Sequence, residues 1–375
     1  MRLILLIPLI TILSFDIHAQ GEEVNTVGFT FLDYNFKLPN DFLSSKSIVV
    51  VSVPHKAGNS KERGDWKSFS ELAHKQFRRM GIDAIGYYNS DDLMSGRDAT
   101  ITFSKSFKKR KVKNLIFLSQ VPAATNGVSS DQFVIVITPF NGEASLMTHG
   151  QEAWKTQSTE FNRVFKILGN EVYKSEQAKT NFLITDLPEL FSDTKMIYGR
   201  RFGVNCRDLK VDKLGIPKFK KIELPEKKPE NSVNNLIEKE IANYNAQVDI
   251  KNKKLAEIMK TYPFEYGLLE GESDDDFYRE GYQYVLLNLN TSGVSIRQLL
   301  NYKMDYTETD YITIRATEYG STLKSIPVNA LVNKTYVRHL YTKDVYTGGK
   351  WDADQSWDDA LRNFIRNMKD EFKID

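Results

Sequence analysis

The stretch Phe133-Val-Ile-Val-Ile-Thr138 is followed by Gly150-Gln-Glu-Ala-Trp154 and by an amphipathic segment from Thr159 to Val172. The first part is rich in β-branched apolar residues, which predicts a buried strand. The glycine predicts a turn, and the apolar residues after it recur at the spacing of a helix packed on a sheet. A strand, a turn, a tryptophan and a helix in this order indicate an α/β unit.

The same order recurs later in the chain. Tyr311-Ile-Thr-Ile-Arg315 precedes Gly348-Gly-Lys-Trp351, and a second amphipathic segment runs from Ser356 to Phe372. Every α/β chain alternates strands and helices, so coincidence is one explanation of the recurrence. The tryptophan before the last helix of both halves favours the other explanation, a duplicated unit. On that basis Phe133–Thr138 and Tyr311–Arg315 are predicted to be equivalent strands.

The predicted fold class is α/β (α+β), with two tandem sheet-plus-helix domains of duplicated topology. Residues 20–178 are assigned to the first domain and residues 179–375 to the second. Ser47–Val53 is apolar on both faces and predicts a strand in the middle of a sheet. Residues 217–259 combine a charged, proline-punctuated linker with a long polar helix, which we interpret as a solvated element. Ala144–His149 and Asp208–Ile216 are also predicted to be strands.

The amino terminus has the pattern of an export signal. Met1-Arg2 is followed by the apolar run Leu3 to Phe15, and Ala19 offers a small residue at a cleavage point. The run is shorter than the roughly 20 apolar residues that span a bilayer. We therefore predict that residues 1–19 are a signal peptide, with a retained membrane anchor as the alternative. A periplasmic or secreted bacterial protein is expected, without a transmembrane segment in the mature chain.

Composition excludes several classes of protein. The chain has one cysteine, Cys206, so an internal disulfide is impossible and the fold depends on its apolar core. Cys206 itself is expected to be buried and inert. The formal net charge is +2, without the basic excess that nucleic-acid binding usually requires. No nucleotide-binding, zinc-protease or serine-hydrolase motif is present, and no cofactor is expected.

An enzyme is the competing interpretation. The carboxyl ends of the strands in an open α/β sheet are where ligands bind. His55, Asp91, Asp92 and His149 follow predicted strands and could form a hydrolase site there. His74 is predicted to lie at the surface of its helix.

A dense run of basic residues is the strongest binding signal. It contains six cations and no acid within nine positions: Lys105, Lys108, Lys109, Arg110, Lys111 and Lys113. One interpretation is a solvated helix end, because cations are favoured at the carboxyl end of a helix. The other is a surface that binds an anionic envelope polymer or phospholipid headgroups.

Alternating acids occur at Asp352, Asp354 and Asp358. Oxygen ligands at alternate positions resemble a calcium loop, but Trp357 stands where such a loop needs glycine. We favour a second interpretation, in which Ser356 and Asp359 form a capping box at a helix amino end. Asp274-Asp-Asp276 is likewise predicted to begin a helix.

The first half resembles, in the order of its elements, the amino-terminal domain of TolB and the periplasmic lipoproteins that activate penicillin-binding proteins. The resemblance covers Ser47 to Tyr173 and rests on these features: the strand Ile48–Val53, the helix stop at Gly81, Tyr87 and Tyr88, and the strand pair Leu115–Leu118 and Phe133–Thr138. It implies a non-catalytic domain that docks to other envelope proteins. The chain lacks the lipidation cysteine and a following β-propeller, and no functional residue is carried over. The predicted function is therefore an exported binding or scaffold protein whose partner is an envelope protein or an anionic envelope polymer.

Overall fold

The computed structural model describes residues 32–374 except 36, 55–63, 126–127, 149, 191–195, 197–198, 223–232, 272 and 318–319. Its contacts divide the chain into two compact units. Described residues up to Leu190 belong to the first unit, whereas the predicted boundary followed residue 178. The difference arises because the later segment bonds to the first unit: Thr180 N donates to Leu43 O, and Tyr87 N donates to Glu189 O. The predicted signal peptide lies outside the described residues.

The first unit is a six-stranded sheet with helices. Its elements are β1 (Asp33–Tyr34), β2 (Lys46–Ser52), α1 (Trp66–Met80), β3 (Asp83–Asn89), α2 (Ser90–Leu93), α3 (Arg97–Lys109), β4 (Val112–Thr125), β5 (Val128–Pro139), β6 (Glu152–Ser158) and α4 (Phe161–Lys174). The strand order is β1-β6-β5-β4-β2-β3. β2 is parallel to β3 and β4, as the helical crossovers require, and β5 is antiparallel to β4 and β6.

The apolar sequence pattern explains the core of this unit. β2 is buried on both faces and has a neighbour on each side, as predicted. The buried stripe of α1 contains Phe69, Ala73 and Phe77, which have helical spacing. The helix ends at Gly81, whose φ of 81° is in the left-handed region that favours glycine.

The second unit has the same topology. Its elements are β7 (Arg201–Phe202), β8 (Leu214–Pro217), α5 (Val233–Met259), β9 (Tyr266–Leu269), α6 (Asp274–Arg279), β10 (Tyr284–Ser292), α7 (Gly293–Leu299), β11 (Asp310–Thr317), β12 (Gly320–Pro327), β13 (Leu331–His339), β14 (Val345–Tyr346) and α8 (Trp357–Phe372). The order β7-β14-β13-β10-β8-β9 repeats that of the first sheet strand for strand, with the same parallel and antiparallel pairs. The predicted α/β class with duplicated topology is confirmed.

One predicted equivalence between the halves is wrong. The strand Tyr311–Arg315 was matched to Phe133–Thr138, but it lies in β11, which pairs only with β12 among the described strands. The equivalent of β5 is β13, which pairs with β10 from Tyr284↔His339 to Ser292↔Leu331. The hairpin β11–β12 is therefore an insertion in the second unit.

Three local predictions also need correction. The described part of Ala144–His149 forms a bend and turn, and the strand expected there is β6. Within Asp208–Ile216 the strand begins only at Leu214, because a 3-10 turn occupies Arg207–Lys210. The long helix α5 is confirmed, but Val248 and its last turn pack into the core rather than into solvent. Among the described residues, no helix combines the length and the apolar content needed to cross a bilayer.

Candidate functional site: a basic edge of the first unit

The three long helices of the first unit all end in basic residues at the same end of the sheet. This is the end where the parallel strands begin, and we call it the edge. The helices α1 and α3 follow the parallel strands β2 and β3, and α4 follows β6, which runs in the same direction because β5 is antiparallel to both β4 and β6. Each helix therefore returns toward the edge where these strands begin. The last turn of α1 contains Arg78 and Arg79, that of α3 contains Lys108 and Lys109, and that of α4 contains Lys174. Cations are favoured at helix carboxyl ends, so the topology collects them at this edge.

The strand starts and adjoining loops add further cations. Lys46 begins β2 and is in register with Val112, the first residue of β4. We define the basic edge as the exposed residues Lys46, Arg78, Arg79, Lys108, Lys109, Lys111, Lys113, Lys174 and Lys179. Asp83 is an acid within this surface, and burial raises its pKa while Lys46 and Arg110 oppose that rise.

The predicted basic run divides into two kinds of residue. Lys105, Lys108, Lys109, Lys111 and Lys113 are exposed, and four of them belong to the basic edge. Arg110 is half-buried and has a structural role. Its Nη2 donates to Ile85 O at 2.9 Å and to Glu189 Oε2 at 2.8 Å.

Residues 177–190, which we call the strap, run across the first unit after α4. Gln177 Nε2 donates to Pro39 O, and Asn181 Nδ2 contacts Ser45 O at 3.4 Å and Gly81 O at 3.3 Å. The far end of the strap forms a parallel bridge between Leu190 and Tyr87 in the edge strand β3. The strap is thus fixed at both ends.

His74 anchors the middle of the strap. Its ring lies between Tyr87 Oη, 3.0 Å from Nδ1, and Thr185 O, 3.0 Å from Nε2. Because a carbonyl only accepts, Nε2 must carry a proton, and in the neutral ring Nδ1 then accepts from the tyrosine hydroxyl. Only 1% of His74 is exposed, so the predicted surface position is wrong.

Three large apolar side chains of the strap are exposed, Phe182, Leu183 and Leu187, and the first two are neighbours beside the basic edge. Phe182 is 84% exposed and Leu183 is 95% exposed. They follow Asn181, which contacts the residues preceding β2 and β3, where the strands begin. Ser45 also accepts from Asn114, the neighbour of Lys113 in β4. Exposed apolar side chains and lysines therefore share one edge.

A surface cavity of about 420 Å³ lies between α1 and the strap. It is lined by Lys75, Arg78, Arg79 and Asp186. The aspartate forms an ion pair with Arg78, so cations dominate the lining. Such a lining can attract an anionic group, since three of the four described lining residues are cations.

The two described residues of the alternative hydrolase site lie away from the basic edge. Asp91 and Asp92 belong to the short helix α2 at the carboxyl end of β3, the edge opposite the basic one. Asn89 Oδ1 accepts from Asp91 N at 2.8 Å, and Asp92 is buried. His55 and His149 lie outside the described residues, so the structure places only the two aspartates of this prediction.

The alternating acids near α8 each have a lysine partner. Lys334 Nζ lies 2.6 Å from Asp352, Lys324 Nζ lies 2.7 Å from Asp354, and Asp358 pairs with Lys254. In the part of the chain that is described, no three or more His, Cys, Asp or Glu side chains are grouped to hold a metal.

Ser356 is the N-cap residue of α8, but the predicted capping box does not form. The Ser356 hydroxyl bonds to Asp358, and Asp359 pairs with Arg315 instead. A capping box is present at α6, between Ser273 and Asp276, where the acids were predicted to begin a helix. Cys206 is buried as predicted, and burial raises the pKa of its thiol.

The second unit provides an internal comparison for the basic edge. The last turn of α5, the equivalent of α1, contains no basic residue, whereas the last turns of α6 and α8 contain Arg279 and Lys369. Glu280 follows α6 where Arg110 follows α3. The two copies of one topology therefore agree in charge at two helix ends and differ at the third, so the usual preference of helix carboxyl ends for cations accounts for part of the basic edge.

Comparison of the chain with protein-family models, with curated proteins and with solved structures gives no match.

Proposed function

We propose that this chain is an exported binding or scaffold protein of a bacterial cell envelope, and that its basic edge docks to an anionic partner. The observation that supports the proposal is the convergence of nine exposed cations from three helices, strand starts and loops on one edge. The resemblance to TolB-type domains in the order of elements fits the same role. An envelope protein with an acidic face or an anionic envelope polymer has the required charge.

The distribution of charge favours binding over catalysis. The basic-edge lysines are spread over a broad surface and lie in water, where each retains a flexible side chain. A general acid or base would instead need a partner that tunes its pKa and a substrate position within hydrogen-bond reach. A broad field of one sign attracts an extended polyanion and steers its approach.

The charge of the basic edge can be removed without touching the core. In the variant Lys108→Gln, Lys109→Gln, Lys111→Gln and Lys113→Gln, we expect affinity for soluble polyphosphate to fall about 10- to 100-fold at low salt. Each cation near an anionic surface contributes roughly 1 kcal/mol, reduced by screening. Fluorescence anisotropy with labelled polyphosphate at several salt concentrations measures the loss, and the salt dependence should weaken in the variant.

A matched control makes the same change in net charge on the second unit. Lys239, Lys253, Lys260 and Lys373 are exposed there and can be replaced by glutamine together. This control should bind like the unaltered chain. Equal losses in both variants would show that net charge alone attracts the polymer, and the proposed docking role of the basic edge would be wrong.

A further inference from the structure

We infer that the partner of the basic edge is an anionic lipid bilayer, into whose headgroup region Phe182 and Leu183 insert. This inference rests on the proposed function and names the partner class. Charge alone would suit any polyanion, but two neighbouring apolar side chains that are almost fully exposed are unfavourable in water. A bilayer offers an apolar phase directly beneath an anionic surface, which matches both features.

The placement of the apolar pair is consistent with insertion. Asn181 holds the strap to the carbonyls of Ser45 and Gly81, and His74 holds it at Thr185. Phe182 and Leu183 therefore project from backbone that is tied down on both sides. A segment that is already ordered loses little conformational freedom on binding, so the contact of these side chains with lipid is not offset by ordering the strap.

The surrounding cations suit a bilayer better than a folded protein partner. Lys46, Lys111 and Lys113 lie near the strand starts, and Lys179 lies in the strap. Their long side chains can keep the ammonium groups at headgroup level while the apolar tips of Phe182 and Leu183 go deeper. A soluble polymer would bind the lysines but offers no apolar environment in which Phe182 and Leu183 could be buried.

Site-specific fluorescence tests the insertion directly. The variant Leu183→Cys is labelled with an environment-sensitive fluorophore, while the buried Cys206 is protected from the reagent in the folded chain. On vesicles that contain phosphatidylglycerol, we expect a blue shift and quenching by nitroxide-labelled lipid. The control Val211→Cys, 88% exposed in the second unit, should show neither. A label at position 183 that stays in water while the chain is vesicle-bound would overturn the inference.

A second variant separates the lipid contact from the charge contact. Phe182→Ser together with Leu183→Ser should lower the affinity for phosphatidylglycerol vesicles about 10- to 100-fold, since two large apolar side chains lose their burial. Polyphosphate binding should be unchanged. Because both side chains are exposed, the melting temperature should also be unchanged, and Val211→Ser with Tyr341→Ser serves as the matched control.

The outcomes distinguish this inference from the proposed function. Polyphosphate binding that needs the basic-edge lysines, with vesicle binding that is equal in the double-serine variant, would overturn the bilayer inference alone. The same holds if the chain binds an acidic peptide but not vesicles of either phosphatidylglycerol or phosphatidylcholine. Absence of binding to polyphosphate, to the acidic peptide and to anionic vesicles would overturn both.

Discussion

The variant Asp352→Ala is expected to lose about 3–5 kcal/mol of unfolding free energy, because it leaves the Lys334 ammonium buried without its carboxylate. Lys334 lies in β13 and is fully buried, and Asp352 is 1% exposed. Their Nζ and Oδ1 atoms are 2.6 Å apart. Lys334 Nζ also donates to the carbonyls of Thr335 and Thr347 at 2.9 Å each, which does not replace the lost charge.

The burial of both side chains explains why removal of one of them strongly lowers the free energy of unfolding. Burial raises the pKa of Asp352, while the neighbouring Lys334 ammonium opposes that rise. Each charged group is therefore stable in the core only while the opposite charge lies beside it. Urea denaturation followed by circular dichroism measures the loss as a lower transition midpoint.

Two further variants separate charge burial from simple loss of a side chain. Asp354 is also buried, but its partners Lys324 and Arg315 are 30% and 42% exposed, so they can be hydrated when Asp354→Ala removes the carboxylate. We expect a smaller loss, about 1–2 kcal/mol. Replacing both members of the first pair, Lys334→Met with Asp352→Leu, should restore most of the stability. A double variant no more stable than Asp352→Ala would contradict this account.

Local periodicity predicted those helices and strands whose buried face is defined by the spacing of apolar residues along the chain. The helix predicted over Ser356–Phe372 and the strand predicted over Ser47–Val53 are found near those bounds, and α1 ends at Gly81 as predicted. Local periodicity does not predict which strands pair with one another. Tyr311–Arg315 and Leu331–His339 both lie in strands, and only long-range pairing with β10 places the second in the main sheet.

Part of the basic edge could also be predicted from local sequence. The run from Lys105 to Lys113 is contiguous, so its charge could be read directly from the sequence. Arg78 and Lys174 were not included, although basic residues in the last turn of an amphipathic helix, combined with a βαβ order, would have located them. Phe182 and Leu183 have no periodic signal, because the strap is irregular and its position depends on hydrogen bonds to distant residues.

The buried His74 holds the middle of the strap, and the variant His74→Leu should release it. The leucine removes the bond to Thr185 O, 111 residues away in sequence, and leaves the Tyr87 hydroxyl buried without an acceptor. Burial raises the pKa of Tyr87 well above its usual range, so the hydroxyl stays protonated and needs that acceptor. An unsatisfied buried polar group costs about 1–3 kcal/mol.

Proteolysis reports whether the strap opens. Chymotrypsin cleaves after Phe182 and Leu183 once the backbone there can leave its anchors, and we expect cleavage about 10- to 100-fold faster in His74→Leu. Tyr87→Phe is the matched control, because it removes the hydroxyl but keeps the bond from Nε2 to Thr185. Cleavage in the control should stay near that of the unaltered chain. If His74→Leu is cleaved no faster, the strap is held by its end contacts alone, and the preorganisation that lipid insertion relies on would have to come from Asn181 and Leu190.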